Sequence, residues 1–114
     1  MNLVDLAKSV DLKVFTAEPA PDRPVDGGYV SDLLSDVMAN SRKDDIWITM
    51  QIHPNIVAVA VLKELAAIVL VNGRQPAEDT LRQAEREGIP ILGSDLPAFE
   101  LVGRMYEIGI KGTR

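Results

Sequence analysis

The side chains best equipped to hold or transform a ligand fall in three short polar runs, each following an apolar one. These are Gln51-Ile52-His53-Pro54-Asn55, Asn72-Gly73-Arg74-Gln75 and Gly93-Ser94-Asp95. His53 is the one histidine of the chain, and imidazole is the side chain suited to acid–base work near neutral pH. Catalysis would need a positioned partner; no carboxylate adjoins His53 in sequence, and Asp95 is a candidate only if the two loops are neighbours. The same residue equally suits a capping or solvent-facing place before a helix. Arg74 brings a fixed positive charge, Asn55, Asn72 and Ser94 bring amide and hydroxyl groups, and Gly73 permits a tight turn. Together, His53, Asn55, Asn72, Gly73, Arg74, Ser94 and Asp95 describe a small pocket for an anionic or amide-bearing ligand. The plainer alternative is that they are helix caps and turns. One histidine and no cysteine leave only scattered carboxylates, so neither a metal site nor a cofactor is expected.

The phosphate-binding motifs are absent: neither G-x-x-x-x-G-K-[ST] nor G-x-G-x-x-G occurs. Gly27-Gly28 reads as a tight turn ahead of a helix. Asp32 and Asp36, like Glu85 and Glu87, read as solvated helix surface.

The elements that must position these runs follow from periodicity. Leu3, Leu6, Ala7 and Val10 recur at helical spacing behind Asn2, a cap residue, and a short extended run follows from Leu12 to Thr16. Pro19, Pro21 and Pro24 make the next stretch a connector or an edge. Val30, Leu33, Leu34, Val37 and Met38 fall on one face of a predicted helix that Ser31 or Asp32 could cap. Ile46 to Gln51 is β-branched and aromatic, hence a strand. Ile56 to Leu65 suits either a strand or a helix; Pro54, the length and Lys63-Glu64 favour the helix. Ala67 to Val71 is a strand, Ala77 to Glu87 a polar helix stopped by Gly88, Ile89 to Leu92 a strand, and Pro97 to Gly109 a last helix.

Strands alternating with helices over residues 46–108 have one economical solution, a parallel sheet with right-handed crossovers and helices packed on it. The expected fold class is therefore α/β, a layered and mostly parallel sheet. Loops after parallel strands gather at one edge of such a sheet, where ligands usually bind. The three polar runs are those loops.

Composition bounds the rest. The 114 residues are 46% hydrophobic, too apolar for a disordered chain, and fit one domain spanning 1–114. The balance of 12 basic against 17 acidic residues gives net -5, which argues against nucleic acid or an anionic membrane as the main partner. The absence of cysteine removes disulfides and thiolate nucleophiles. The most apolar region, 56–71, is interrupted by Lys63-Glu64, and each half is short of the roughly 20 residues that span a bilayer. No signal peptide is visible, so a cytoplasmic address is expected. The Ile56–Leu65 helix carries an apolar surplus that points to a homodimer.

Three further runs carry a resemblance. Gly27-Gly28-Tyr29-Val30-Ser31-Asp32-Leu33-Leu34-Ser35-Asp36-Val37-Met38 looks like the opening signature of stand-alone DRTGG-domain proteins. Residues 55–62 (NIVAVAVL) and 98–106 (AFELVGRMY) support it. The resemblance implies a sheet of about five strands, similar to the N-terminal domain of HPr kinase/phosphorylase. It also implies a regulatory or self-associating role beside other domains, such as CBS pairs in pyrophosphatases or a region of some phosphotransacetylases. The family's Asp-Arg-Thr falls where this chain reads His53-Pro54-Asn55, and its Gly-Gly where it reads Asn72-Gly73-Arg74. The expected function is then a non-enzymatic sensory module, dimeric and binding a small nucleotide-like or anionic ligand. The alternatives are a protein-interaction subunit docking on a sensor kinase or metabolic enzyme complex, and a small enzyme using His53.

Overall fold

The computed structural model describes residues 1–112. In chain order the elements are α1 (Leu3–Ser9), β1 (Lys13–Val14), β2 (Gly27–Val30), α2 (Leu34–Asn40), β3 (Asp45–Thr49), α3 (Asn55–Lys63), β4 (Ala67–Leu70), α4 (Glu78–Glu87), β5 (Ile91–Gly93) and α5 (Ala98–Glu107). They build an α/β fold around one five-stranded sheet of order β1-β5-β4-β3-β2. The pairs β2–β3, β3–β4 and β4–β5 are parallel, and β1 runs antiparallel along β5 with Lys13 opposite Gly93.

The three central strands, β3, β4 and β5, are buried on both faces because their side chains alternate between two cores. Ile46, Ile48, Ala67, Val69 and Leu92 face α1 and α5 through Leu3, Leu6, Leu101 and Met105. Trp47, Ile68, Leu70 and Ile91 face the other way, onto Val37, Ile56, Val57, Ala60 and Ala84. Asn2 caps α1 as expected, accepting the Asp5 N–H at 2.8 Å.

The ambiguous run of residues 56–65 is a helix, ended by Glu64 in a left-handed conformation with φ 54°. Its Ile56, Val57, Val59 and Ala60 are buried within the chain, and α2 and α4 pack against it. The apolar surplus read as a dimer face is thus largely consumed inside the fold. The most exposed large apolar side chains are Phe99 on α5, Leu62 at the end of α3, and Leu33.

The segment before β3 departs from expectation. Gly27–Val30 is a strand, and the helix starts only at Leu34, with Leu33 as its N-cap and no capping side chain. Ser31 and Asp32 are not caps of α2: the Ser31 Oγ accepts the Leu33 N–H at 3.1 Å, while Asp32 bonds to β3 and the residue after it. Val30 and Leu33, assigned by spacing to a buried face, are exposed. The glycine pair also serves a close approach. A Cβ on Gly27 would lie 3.0 Å from an Asp45 carboxylate oxygen and 3.2 Å from the Lys111 carbonyl, because the segment at Gly112 bridges Gly28 along the outer edge of β2. Nor is Asp36 freely solvated. It accepts the Tyr29 hydroxyl at 2.7 Å and the Asn40 amide at 2.8 Å, and the Tyr29 bond above all holds its carboxyl below the ordinary value.

Candidate functional site

Four strands of the sheet point their carboxyl ends at the same edge, and the loops that follow them meet there. The turn after β4 is made by Asn72 and Gly73, both left-handed at φ 58° and 67°. Asparagine and glycine are the residues that tolerate this conformation, so the turn is encoded locally. Its backbone is then locked to the loop after β5. The Asn72 N–H donates to the Leu96 carbonyl at 3.0 Å, and the Gly73 N–H donates to the Ser94 carbonyl at 2.9 Å. Ser94 tightens its own loop by accepting the Leu96 N–H on Oγ at 3.1 Å. The result is a backbone ridge with a cleft on either side.

The first cleft, of about 250 Å³, is lined by Gly73, Arg74, Gln75, Gly93, Ser94 and Asp95 together with Asp11, Leu12, Lys13 and Phe15. Four of the residues singled out in the sequence, Gly73, Arg74, Ser94 and Asp95, therefore share one site. Asp11 and Lys13 join them because β1 runs antiparallel, which brings its start to the carboxyl end of β5. Phe15 packs where a Gly93 side chain would be, since a Cβ there would sit 2.5 Å from its ring. The Lys13 ammonium lies over that ring, 5.3 Å from its centre. Among the described residues the one ion pair is Arg82 with Glu78, so neither Asp11 nor Asp95 neutralises Lys13 or Arg74.

The second cleft, of about 130 Å³, holds Asn72. Its walls are Val30, Ile48, Met50, Val71 and Ala98, with Ser31, Asp32 and Thr49 as its other polar members. Asp32 is fixed there by two donors to one oxygen: Thr49 Oγ1 at 2.7 Å and the Met50 N–H at 2.8 Å, both onto Oδ1. Asn72 turns its amide nitrogen to the Met50 sulfur at 3.0 Å.

His53 and Asn55 line neither cleft. Both are exposed; the His53 carbonyl accepts the Ile56 N–H at 3.2 Å, and Asn55 opens α3. The three runs thus share an edge, but the first lies apart from the pocket formed by the other two. Asp32 was missed because its spacing matched a helix, and Lys13 because no sequence signal gives the direction of a two-residue strand.

No family model and no curated sequence matches the chain. Its fold matches the crystal structure of the CBS and DRTGG domains of the regulatory region of Clostridium perfringens pyrophosphatase, complexed with the activator diadenosine tetraphosphate. The TM-score is 0.67, over 91% of this chain and 45% of that one. The fold is DRTGG-like. At 11% identity the likeness is one of architecture, and the chain spans less than half the length of that structure. Among the described residues no helix of this DRTGG-like fold is long and apolar enough to cross a membrane.

Proposed function

We propose that this DRTGG-like chain is a non-catalytic regulatory module that binds a nucleotide-like ligand at the carboxyl edge of its sheet and acts as a pair of copies. The observation that carries the ligand is the first cleft, where Lys13 and Arg74 stand unpaired beside Asp11 and Asp95. Two cations alone would suit any anion. Two cations beside two carboxylates suit a molecule that brings both an anionic group and hydrogen-bond donors. A nucleotide has that combination: phosphate for Lys13 and Arg74, ribose hydroxyls for the carboxylates. The structural neighbour is a regulatory region complexed with a dinucleotide activator, which supports a nucleotide over a simple inorganic ion.

Calorimetric titration of the full chain with ATP at low salt tests the reading. Arg74→Ala is expected to weaken binding about tenfold, and Lys13→Ala with Arg74→Ala about a hundredfold, since a charge-assisted bond at an exposed site contributes about 1.4 kcal/mol. Both side chains lie at the surface, so the melting temperature should stay close to wild type. Wild-type protein giving neither heat nor a thermal shift with any adenine or guanine nucleotide would overturn the proposal.

Pairing of copies is supported by α5. Phe99 is 88% exposed, Tyr106 is 48% exposed, and the position of Gly103 has open space above it. These three residues fall at i, i+4 and i+7, on one face. Two antiparallel α5 helices would set Phe99 of each copy beside Tyr106 of the other, with Gly103 admitting close approach and Glu100 nearest the opposite Arg104. Light scattering is expected to give a dimer that Phe99→Glu converts to monomer. A wild-type monomer at high micromolar concentration would refute the pairing.

A further inference from the structure

The polar groups of the first cleft, Lys13, Arg74, Asp11 and Asp95, would hold a sugar phosphate as well as a nucleotide. The two ligands differ by a flat ring, so what separates them is a surface that takes a ring by its face. Of the described residues lining that cleft, one is aromatic, Phe15.

The fold seats this ring firmly. Backbone pairing with β5 runs on past the two residues of β1: the Phe15 N–H donates to the Ile91 carbonyl at 2.9 Å, and the Ile91 N–H donates to Thr16 Oγ1 at 3.1 Å. The ring is half-buried and packs against the core that holds Trp47, Ile68 and Ile91. Gly93 leaves room for it, since a Cβ there would lie 2.5 Å from Cε2 and 3.0 Å from Cζ. The Gly93 φ lies outside the left-handed region, so no turn calls for glycine at that place. Glycine weakens a strand, and one kept at a strand end for space marks a close approach, here that of the Phe15 ring.

What lies over the ring is the ammonium of exposed Lys13, 5.3 Å from its centre. Cation–π contacts extend to about 6 Å, so this one is near its outer limit. A lysine on its flexible stem exchanges such a place readily for a phosphate. Phe15 and Arg74 extend the two strands that flank β5, whose backbones run roughly 10 Å apart, a span that one mononucleotide bridges.

We propose that Phe15 is a stacking platform for the flat ring of the ligand. The base lies on Phe15 in the place now held by the Lys13 ammonium, and Lys13 swings to the phosphate beside Arg74. The inference rests on the nucleotide reading of this cleft and names what sets the ligand class apart, an anion that carries a ring. Stacking uses the face of a base and not its edge, so it selects nucleotides over sugar phosphates without choosing among bases.

AMP and ribose 5-phosphate share sugar and phosphate, one with the ring and one without. Calorimetric titration of the wild-type chain at low salt is expected to show AMP bound about tenfold more tightly, the low end of what stacking on an aromatic side chain contributes. Phe15→Leu keeps an apolar side chain against Gly93 and removes the π face. It should weaken AMP about fivefold and leave ribose 5-phosphate unchanged, which also reports that the cleft is intact. Equal affinity for the two ligands in the wild type, or undiminished AMP affinity in Phe15→Leu, overturns the platform. Arg74→Ala weakening AMP in the same series then leaves the anion cleft standing. Binding of neither ligand overturns both readings.

Discussion

Trp47→Ala should lower the free energy of unfolding by about 3–5 kcal/mol, the cost of removing a large aromatic side chain from a packed core. Against the roughly 5–15 kcal/mol that typically separates folded from unfolded chains, this is a large fraction. Trp47 is wholly buried at the middle of β3, in the core formed with Ile56, Ile68 and Ile91. It also carries a polar duty. Its indole Nε1–H donates to the Ser31 carbonyl at 2.8 Å, tying the loop after β2 to the sheet. Trp47→Phe keeps most of the ring and loses the donor, so it should cost less, about 1–3 kcal/mol for a carbonyl left without its partner. Urea unfolding followed by far-ultraviolet circular dichroism measures both, since the variants remove the one tryptophan of the chain. A loss under about 1 kcal/mol for Trp47→Ala would contradict the packing described.

The second large effect lies at the opposite edge of the sheet. Arg23 leaves the proline-bearing connector and donates from Nε to the Ala66 carbonyl at 2.6 Å and from Nη2 to the Leu65 carbonyl at 3.2 Å. Its own carbonyl accepts the Leu3 N–H at 2.8 Å, where α1 begins. One residue thus joins three parts of the fold, its side chain tying the connector to the entry to β4 and its backbone carbonyl holding the first helix. Arg23→Ala should cost about 2–4 kcal/mol, from two charge-assisted bonds lost and two part-buried carbonyls left open. Arg23→Lys should recover less than half of that, because an ammonium lacks the planar fork that reaches both carbonyls. The midpoint of urea unfolding at an unchanged slope reports the difference. Full recovery by lysine would mean that charge, not geometry, matters there.

The contrast between these residues shows what the sequence could carry. The run holding Trp47 was readable as a strand because β-branched and aromatic residues fill it, and the helices at Leu3–Ser9, Glu78–Glu87 and Ala98–Glu107 were readable from periodicity. Asn72, Gly73, Arg74, Ser94 and Asp95 were legible as loops of one edge, since parallel strands leave no other place for them. Arg23 gave no such signal: its partners are backbone carbonyls more than forty residues away, which no residue type announces. The stretch Val30 to Met38 misled because apolar residues at helical spacing also arise where a strand ends and a helix begins. Hence Asp32 passed for helix surface, when it is fixed beside β3. Lys13 was hidden for a third reason: its place in the cleft depends on the direction of a two-residue strand, which pairing alone decides.

The two margins of the sheet bear on how copies of this chain can meet. An unpaired strand margin is a template for another chain, and many folds blunt it by shortening the strand, placing a lysine there or covering it. Both margins are guarded here. β1 has only two residues, one of them Lys13, and the backbone of β2 is overlaid by the segment that bridges Gly28 to Gly112, with the Gly28 N–H donating to the Lys111 carbonyl at 2.9 Å. Continuation of the sheet from one molecule into the next is thereby discouraged at either side. Self-recognition is left to helical surfaces, where a single substitution can tune it without touching the ladder that holds the strands together.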